Sequence, residues 1–365
     1  MMEPPVKLYV NKEHVQKNLR YISFLYAFWG IPERKLEPFV AAMYKDQSVD
    51  TSRFQLVEKI GDADFVLIPH NYWHLYEKYP DVLRAALGEA RAAGKLLLID
   101  GSGDLERTFD ERDAYILRIA PYRFDVRDNE IVMPVFCEDL LARYFGGMMQ
   151  LRHWAPIPSV GFAGWSRMPF VRRVRTRLRR LPQAIASVFD RRFSAYTKGV
   201  FLREKAVRVL QRSKLIEPHI VSRASYSGST VTMEKDPETI RREFIDNLVG
   251  SDYALDVRGD ANASTRFYEA ISLGRIPLFV DTARVMPLED VIDYRSFCVY
   301  VDHRDLGRLD RILLDFHRSL TPEWFEDMQR KARSAYTEHL RMDSFSRHLA
   351  SKLLSIARRH YGSNV

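Results

Sequence analysis

The sequence predicts an α/β protein built as two halves, each a parallel sheet with helices on both faces. Three observations predict this. Short apolar segments alternate with segments of helical spacing along the chain. The alternation restarts at Pro156. Ser251 to Asp281 reads as one continuous strand–loop–helix–strand unit.

In order, Val6–Val10 and Phe65–Ile68 read as strands, each followed by polar or proline-containing text. Asp81–Ala93 has helical spacing, Gly94 stops it, and Lys95–Ile99 is a third strand. Tyr115–Ile119 is a fourth. After Pro156, Val160-Gly-Phe is a strand, Arg203–Ser213 a helix, His219–Ser222 a strand and Asp236–Val249 a helix. Beyond residue 281, Phe297–Val301 is a strand and Asp305–Leu320 a helix. Thr321 caps the next helix, with Pro322 in its first turn. Ser344–His360 closes the chain as a helix. This predicts domains at 1–155 and 156–343, with 344–365 as a C-terminal helix.

At 365 residues, 46% apolar and 12% aromatic, the chain has room and material for two packed cores. Cys137 and Cys298 lie far apart with no paired spacing, so neither a disulfide framework nor a zinc site is expected and a reducing compartment is. The start, Met1-Met-Glu-Pro-Pro-Val-Lys, has no signal-peptide apolar core. The longest apolar run, Tyr21–Ile31, ends at Pro32, short of the ~18–20 residues a membrane span requires. A cytoplasmic protein is expected.

The unit at 251–281 carries the most chemistry. Tyr253–Val257 is the strand, and Arg258–Ala263 is a loop lacking large apolar side chains. Ser264 stands at the N-cap of a helix over Thr265–Leu273, which Gly274 ends, and Ile276–Val280 is the second strand. The free N–H groups of such a helix start form an anion site. Arg258 and Arg266 flank it, and two fixed cations there suit a diphosphate. Gly259 leaves room for close approach of a ligand. Asn262 either closes the loop by a side-chain turn or touches the ligand. Glu269, three residues past Arg266, either pairs with it or holds sugar hydroxyls. Arg223, after the 219–222 strand, is either a third phosphate arginine or a surface residue.

The run Arg258-Gly-x-x-Asn-x-Ser-x-Arg-Phe-Tyr-Glu-Ala-x-x-x-Gly-Arg-Ile-Pro-Leu-Phe279 resembles the nucleotide-sugar half of exostosin-type glycosyltransferases, particularly their bacterial relatives. Met286-Pro-Leu-Glu-Asp-Val-Ile-Asp-Tyr294, Ala63-Asp-Phe-Val-Leu-Ile-Pro-His70 and Ser159-Val-Gly-Phe-Ala-Gly164 are similar to further elements of that family. Asp260 and Met286 depart from its pattern, where a small residue and leucine are usual. The resemblance implies two Rossmann-like α/β domains facing a cleft, the GT-B arrangement. Residues 1–155 would be the acceptor side and 156–343 the nucleotide-sugar side, with the closing helix crossing back to the first domain. It implies transfer from a nucleoside-diphosphate sugar to a glycan or lipid-linked acceptor, with inversion; the arginines and the helix dipole would stabilise the leaving diphosphate without metal or other cofactor. The donor-binding set would be Arg223, Arg258, Gly259, Asn262, Ser264, Arg266 and Glu269.

Inversion requires a general base on the acceptor hydroxyl. His70, His74, Asp100 and Asp104 follow first-half strands, where ligands of open α/β sheets sit, and are its candidates. His70 and His74 lack a carboxylate at metal-ligand spacing. Asp62-Ala-Asp64 precedes its strand, the wrong end for a metal–nucleotide site. Asp100-Gly-Ser-Gly-Asp104 begins like a dinucleotide loop but lacks the third glycine, which disfavours a nicotinamide enzyme.

The net charge of +8 is concentrated: Arg167–Arg180 holds seven arginines and no acid. Val171, Val174, Leu178, Leu181, Ile185 and Val188 share one helical face within 167–190. Two readings stand. The apolar face packs on the domain and the arginines are solvated, or the segment lies peripherally on an anionic membrane. Nucleic acid is disfavoured, because no aromatics are interleaved with the arginines. A basic membrane- or polyanion-binding protein on a degenerate transferase scaffold is the alternative to an enzyme.

Overall fold

The computed structural model describes residues 3–32, 36, 38–103, 108–223 and 236–362. The chain forms two compact units. The first comprises 1–121, 125–136 and 338–365, and the second 122–124 and 137–337. The division after the first half thus falls at 136/137 rather than at 155/156. The reason is the short helix Leu140–Phe145. Leu140 and Leu141 bury among Ile245, Leu248, Ala270 and Leu273 of the second unit.

The first unit is built on a six-stranded sheet, β1 Val6–Tyr9, β2 Phe54–Val57, β3 Phe65–Leu67, β4 Leu96–Asp100, β5 Ala114–Ile119 and β6 Glu130–Met133. Its order is β2-β1-β3-β4-β5-β6, and every pairing is parallel. β2 and β6 lie at the two sheet edges, where four-residue strands without a continuous apolar run give the sequence little signal. The Pro80–Ala92 helix opens with proline and buries Leu83, Ala86, Leu87 and Ala90, the helical spacing that covers one sheet face. Gly94 then takes φ +63°, a left-handed turn that suits glycine, and the chain enters β4. The closing helix, Met342–Tyr361, is part of this unit. Tyr361 donates to Asp64 O (3.0 Å) and accepts from Leu96 N (3.1 Å). Ser346 accepts from Asp50 N at 2.9 Å.

The second unit holds β7 Ser159–Trp165, β8 Glu217–Arg223, β9 Tyr253–Asp256, β10 Ile276–Asp281 and β11 Val299–Asp302. The order is β11-β10-β9-β7-β8, again wholly parallel. The fold class is therefore α/β with two Rossmann-like units, as the alternation predicted. In the second sheet the first strand, β7, lies between the second and the third. That is the 2-1-3-4-5 order, whose topological switch point falls between β7 and β9.

Burial favours the neutral form of three histidines, two of them in the cores. His317 is fully buried, donates Nε2–H to Ala155 O (2.6 Å), accepts at Nδ1 from Tyr253 (2.8 Å) and stacks on Trp154. Burial pushes His317 down, as it does His70 and His303. The unfolded chain takes up protons near the ordinary value of about 6.5, whereas the folded chain resists until lower pH. This contribution to stability is complete above about 6.5 and is lost as pH falls from there through the folded values. The urea midpoint is expected to drop between pH 7.5 and pH 5.5, and His317→Gln should flatten that slope. A midpoint independent of pH over this window would show that the rings are not held neutral.

Candidate functional site

Ligands of a doubly wound sheet sit outside the carboxyl ends of the strands at the switch point. In the second unit that place is lined by arginines from three elements. Arg203, on the Gly199–Arg212 helix, is nine-tenths buried. It donates to Val257 O, just past β9, at 3.2 and 3.3 Å and to Trp165 O, the last residue of β7, at 3.5 Å. Arg266, in the first turn of the Thr265–Ser272 helix, donates to Ala163 O of β7 at 2.7 Å. Its guanidinium lies over the rings of Phe162 (4.5 Å) and Phe244 (5.6 Å). Arg258 opens the loop between β9 and that helix. Backbone carbonyl partners orient these three guanidiniums.

Two glycines make the arrangement possible. Gly164 has φ +155°, and a Cβ there would stand 2.6 Å from an Arg266 nitrogen. Gly199 lies where a Cβ would collide with the carbonyls of Arg258 and Gly259. Neither role is legible in the sequence, since both depend on a segment distant along the chain. Arg203 was missed because a helical arginine normally reads as solvated.

The expected donor residues are all in this unit, but several do other work. Arg258 is 1% exposed. It donates to Tyr122 Oη, to Ala195 O (2.9 Å), to Asp260 O (2.9 Å) and to Ala261 O (3.2 Å). These bonds clamp the loop from inside. Gly259 donates its N–H to Ala263 O at 2.8 Å, closing the loop. A Cβ on Gly259 would make ordinary contacts with the protein at 3.4 and 3.8 Å. Asn262 accepts from Thr282 Oγ1 at 2.5 Å, while its buried Nδ2 has no hydrogen-bond partner among the described residues.

Ser264 occupies the N-cap position with extended φ and ψ, yet its hydroxyl makes no capping bond. The first-turn N–H groups therefore remain for another acceptor, so far as Ser264 is concerned. Glu269 neither pairs with Arg266 nor points to solvent. It is mostly buried and accepts from Arg241 of the Pro237–Val249 helix at 2.5 Å. A partner 28 residues upstream on another helix gives no local sequence signal. Burial opposes the Arg241 charge, but Glu269 and Glu138 outweigh it and raise its pKa above the ordinary arginine value. Arg223 ends β8 and donates to Glu243 at 2.8 Å, an ion pair at the sheet edge. Ser166, directly after β7, is buried with an Oγ that has no hydrogen-bond partner among the described residues.

Candidates for the base lie in the first unit. His70 is fully buried; Nε2 accepts from Gln16 N (2.8 Å) and Nδ1–H donates to Arg20 O (2.8 Å). Both ring nitrogens are committed, so His70 is a staple and not a base. His74 is exposed on the Tyr72–Lys78 helix. Asp100 ends β4 half-buried and accepts from Ser102 N (2.8 Å) and Asn71 Nδ2 (3.4 Å). Burial pushes its carboxyl up, and the bonds from Ser102 and Asn71 and the nearby His74 pull it only partly back. Asp104 lies outside the described residues. Gly101 is a packing glycine: a Cβ there would collide with the Phe109 ring. Asp64 accepts from Lys7 N at 2.8 Å and Asp62 lies in a one-turn helix before β3, at the amino end of the strand.

Residues 161–316 match the family model of the exostosin GT47 domain. This segment is similar to an exostosin-type glycosyltransferase domain. The exostosin match begins in β7 and ends in the Leu309–Arg318 helix, so it takes in the whole arginine-lined switch point. The chain is 31% identical over 88 residues to a probable glycosyltransferase of Arabidopsis thaliana, covering 24% of this chain and 16% of that protein. Among solved structures it is similar to an S. aureus TarM mutant in complex with fondaparinux, α-GlcNAc-glycerol and UDP. That pair shares 12% identity over 82% of this chain and 56% of TarM, with a TM-score of 0.38. A second TarM structure covers 72% of this chain and 54% of its own, at 12% identity and a TM-score of 0.32. The chain thus spans about half the length of TarM and a sixth of the plant relative.

Proposed function

We propose that this chain is a glycosyltransferase that takes its sugar from a nucleoside-diphosphate donor. The observation that carries the reading is the set of oriented arginines around a helix start that Ser264 leaves uncapped, at the switch point of the segment similar to an exostosin domain. In sugar transfer the bond from the anomeric carbon to the diphosphate breaks, and the electron pair stays on the departing oxygen. Fixed cations and backbone N–H groups aimed at that oxygen lower the barrier without reorganising. Arg266 and the first-turn N–H groups are assigned to the diphosphate, with Arg203 behind them, and Arg258 keeps the loop in shape. Because these groups are charged or dipolar in themselves, the reading includes no metal and no other cofactor. Transfer is in one inverting displacement onto a glycan or lipid-linked hydroxyl, and the proton lost passes to a carboxylate, for which we assign Asp100.

Calorimetric titration with a panel of nucleoside diphosphates and their sugars, with and without chelator, tests this. One diphosphate is expected to bind equally well in both conditions. Asp100→Asn is expected to keep that isotherm and lose turnover. A folded protein that binds none of the panel would end the transferase reading, and binding abolished by chelator would end its metal-independent form.

A further inference from the structure

The arginine-rich segment folds as two consecutive helices, Phe170–Arg179 and Leu181–Phe189. They sit the opposite way round from a helix packed by its apolar face. The side turned to the domain is polar. Arg173 pairs with Glu204 at 2.8 Å and donates to Met168 O. Thr176 Oγ1 lies 3.8 Å from Met168 Sδ, and Arg180 donates to Tyr196 O at 2.6 Å. Arg173, Thr176, Arg180 and Gln183 are less exposed than their neighbours and recur at helical spacing. The apolar stripe faces away: Phe170, Val171, Leu178, Ile185, Val188 and Phe189 are 54–87% exposed. Nine of the seventeen exposed large hydrophobic side chains among the described residues fall between 170 and 193, so this is a patch and not scatter.

We propose that this helix pair docks the protein on an anionic lipid bilayer. The proposal stands apart from the transferase reading. Charge decides the occupant. Arg172, Arg175, Arg177 and Arg179 are exposed around the stripe, and no acid occurs from 167 to 189. The covering surface must therefore be apolar at depth and negative at its rim, as a bilayer with acidic headgroups is. A second copy would set this arginine cluster against its twin, which like-charge repulsion opposes. Ion pairing through Arg173 and Arg180's bond to Tyr196 hold the helices from behind, so the apolar side chains can enter lipid while the helix pair stays attached.

The test is cosedimentation of the full chain with phosphatidylglycerol–phosphatidylcholine vesicles and with phosphatidylcholine alone, at low and high salt, beside light scattering without lipid. The parent is expected to bind the anionic vesicles in a salt-sensitive way and the neutral ones at least tenfold more weakly. Val171→Ser with Leu178→Ser and Val188→Ser, which leaves charge unchanged, should weaken anionic binding at least tenfold. Arg175→Gln with Arg179→Gln should weaken it about 25-fold, since each basic residue at the surface is worth about fivefold. All these positions are exposed, so thermal unfolding and nucleoside-diphosphate binding should match the parent. Failure of the parent to sediment with anionic vesicles would overturn the proposal. So would unchanged binding in the serine variant, or a lipid-independent dimer that the serine changes dissociate.

Discussion

The Arg266→Ala variant is expected to bind nucleoside diphosphate about 10- to 150-fold more weakly than the parent, the range of one charge-assisted hydrogen bond of about 1.5–3 kcal/mol. The loss should be confined to ligands that carry phosphate. A nucleoside alone should bind both proteins equally, because Arg266 is assigned to the diphosphate and not to the base. Arg266→Lys should fall between them, since an ammonium retains charge but lacks the planar fork that lies over Phe162 and reaches Ala163 O. Calorimetry with the nucleoside, its monophosphate and its diphosphate separates these cases. Equal diphosphate affinity in the alanine variant would remove Arg266 from the donor site.

The second large effect concerns stability next to that site. Asp256, the last residue of β9, is fully buried and pairs with buried Arg284 at 3.2 Å. Nε and Nη2 of Arg284 and Oδ1 of Asp256 have no hydrogen-bond partner among the described residues. A buried ion pair so sparsely supported contributes little net stability, but breaking it strands a charge in the core. Asp256→Ala should therefore cost about 3–5 kcal/mol, whereas Asp256→Leu with Arg284→Met should be neutral or stabilising. Urea denaturation of the two variants checks both. If the single change costs under about 1 kcal/mol, the guanidinium has found another partner or water and the stranded-charge argument fails.

Sequence reading located the sheets because their strands are apolar runs bounded by loops, and it found the 251–281 unit because glycine, serine and arginine recur there at meaningful spacing. It could not say where each arginine points. Arg258 and Arg266 look equivalent in the motif, yet one clamps its own loop and the other crosses to β7. Glu269 looked like a neighbour of Arg266, but its partner comes from another helix. The stripe in 170–189 was visible from its period. Which side of it meets the domain was not, because period gives the separation of two faces and says nothing of what Glu204 and Tyr196 will attract.

The path of the chain has a practical consequence for anyone dividing the gene. Residues 122–124 belong with the second unit although they precede β6, and 338–365 belong with the first although they come last. A fragment ending at residue 155 would lack the tyrosine that caps Leu96 and Asp64 in the first sheet. The complementary fragment would lack Tyr122, on which Arg258 rests. Neither piece is a domain in the sense of an independently heritable module, so splicing, fusion or exchange between relatives has to respect four crossing points in the chain.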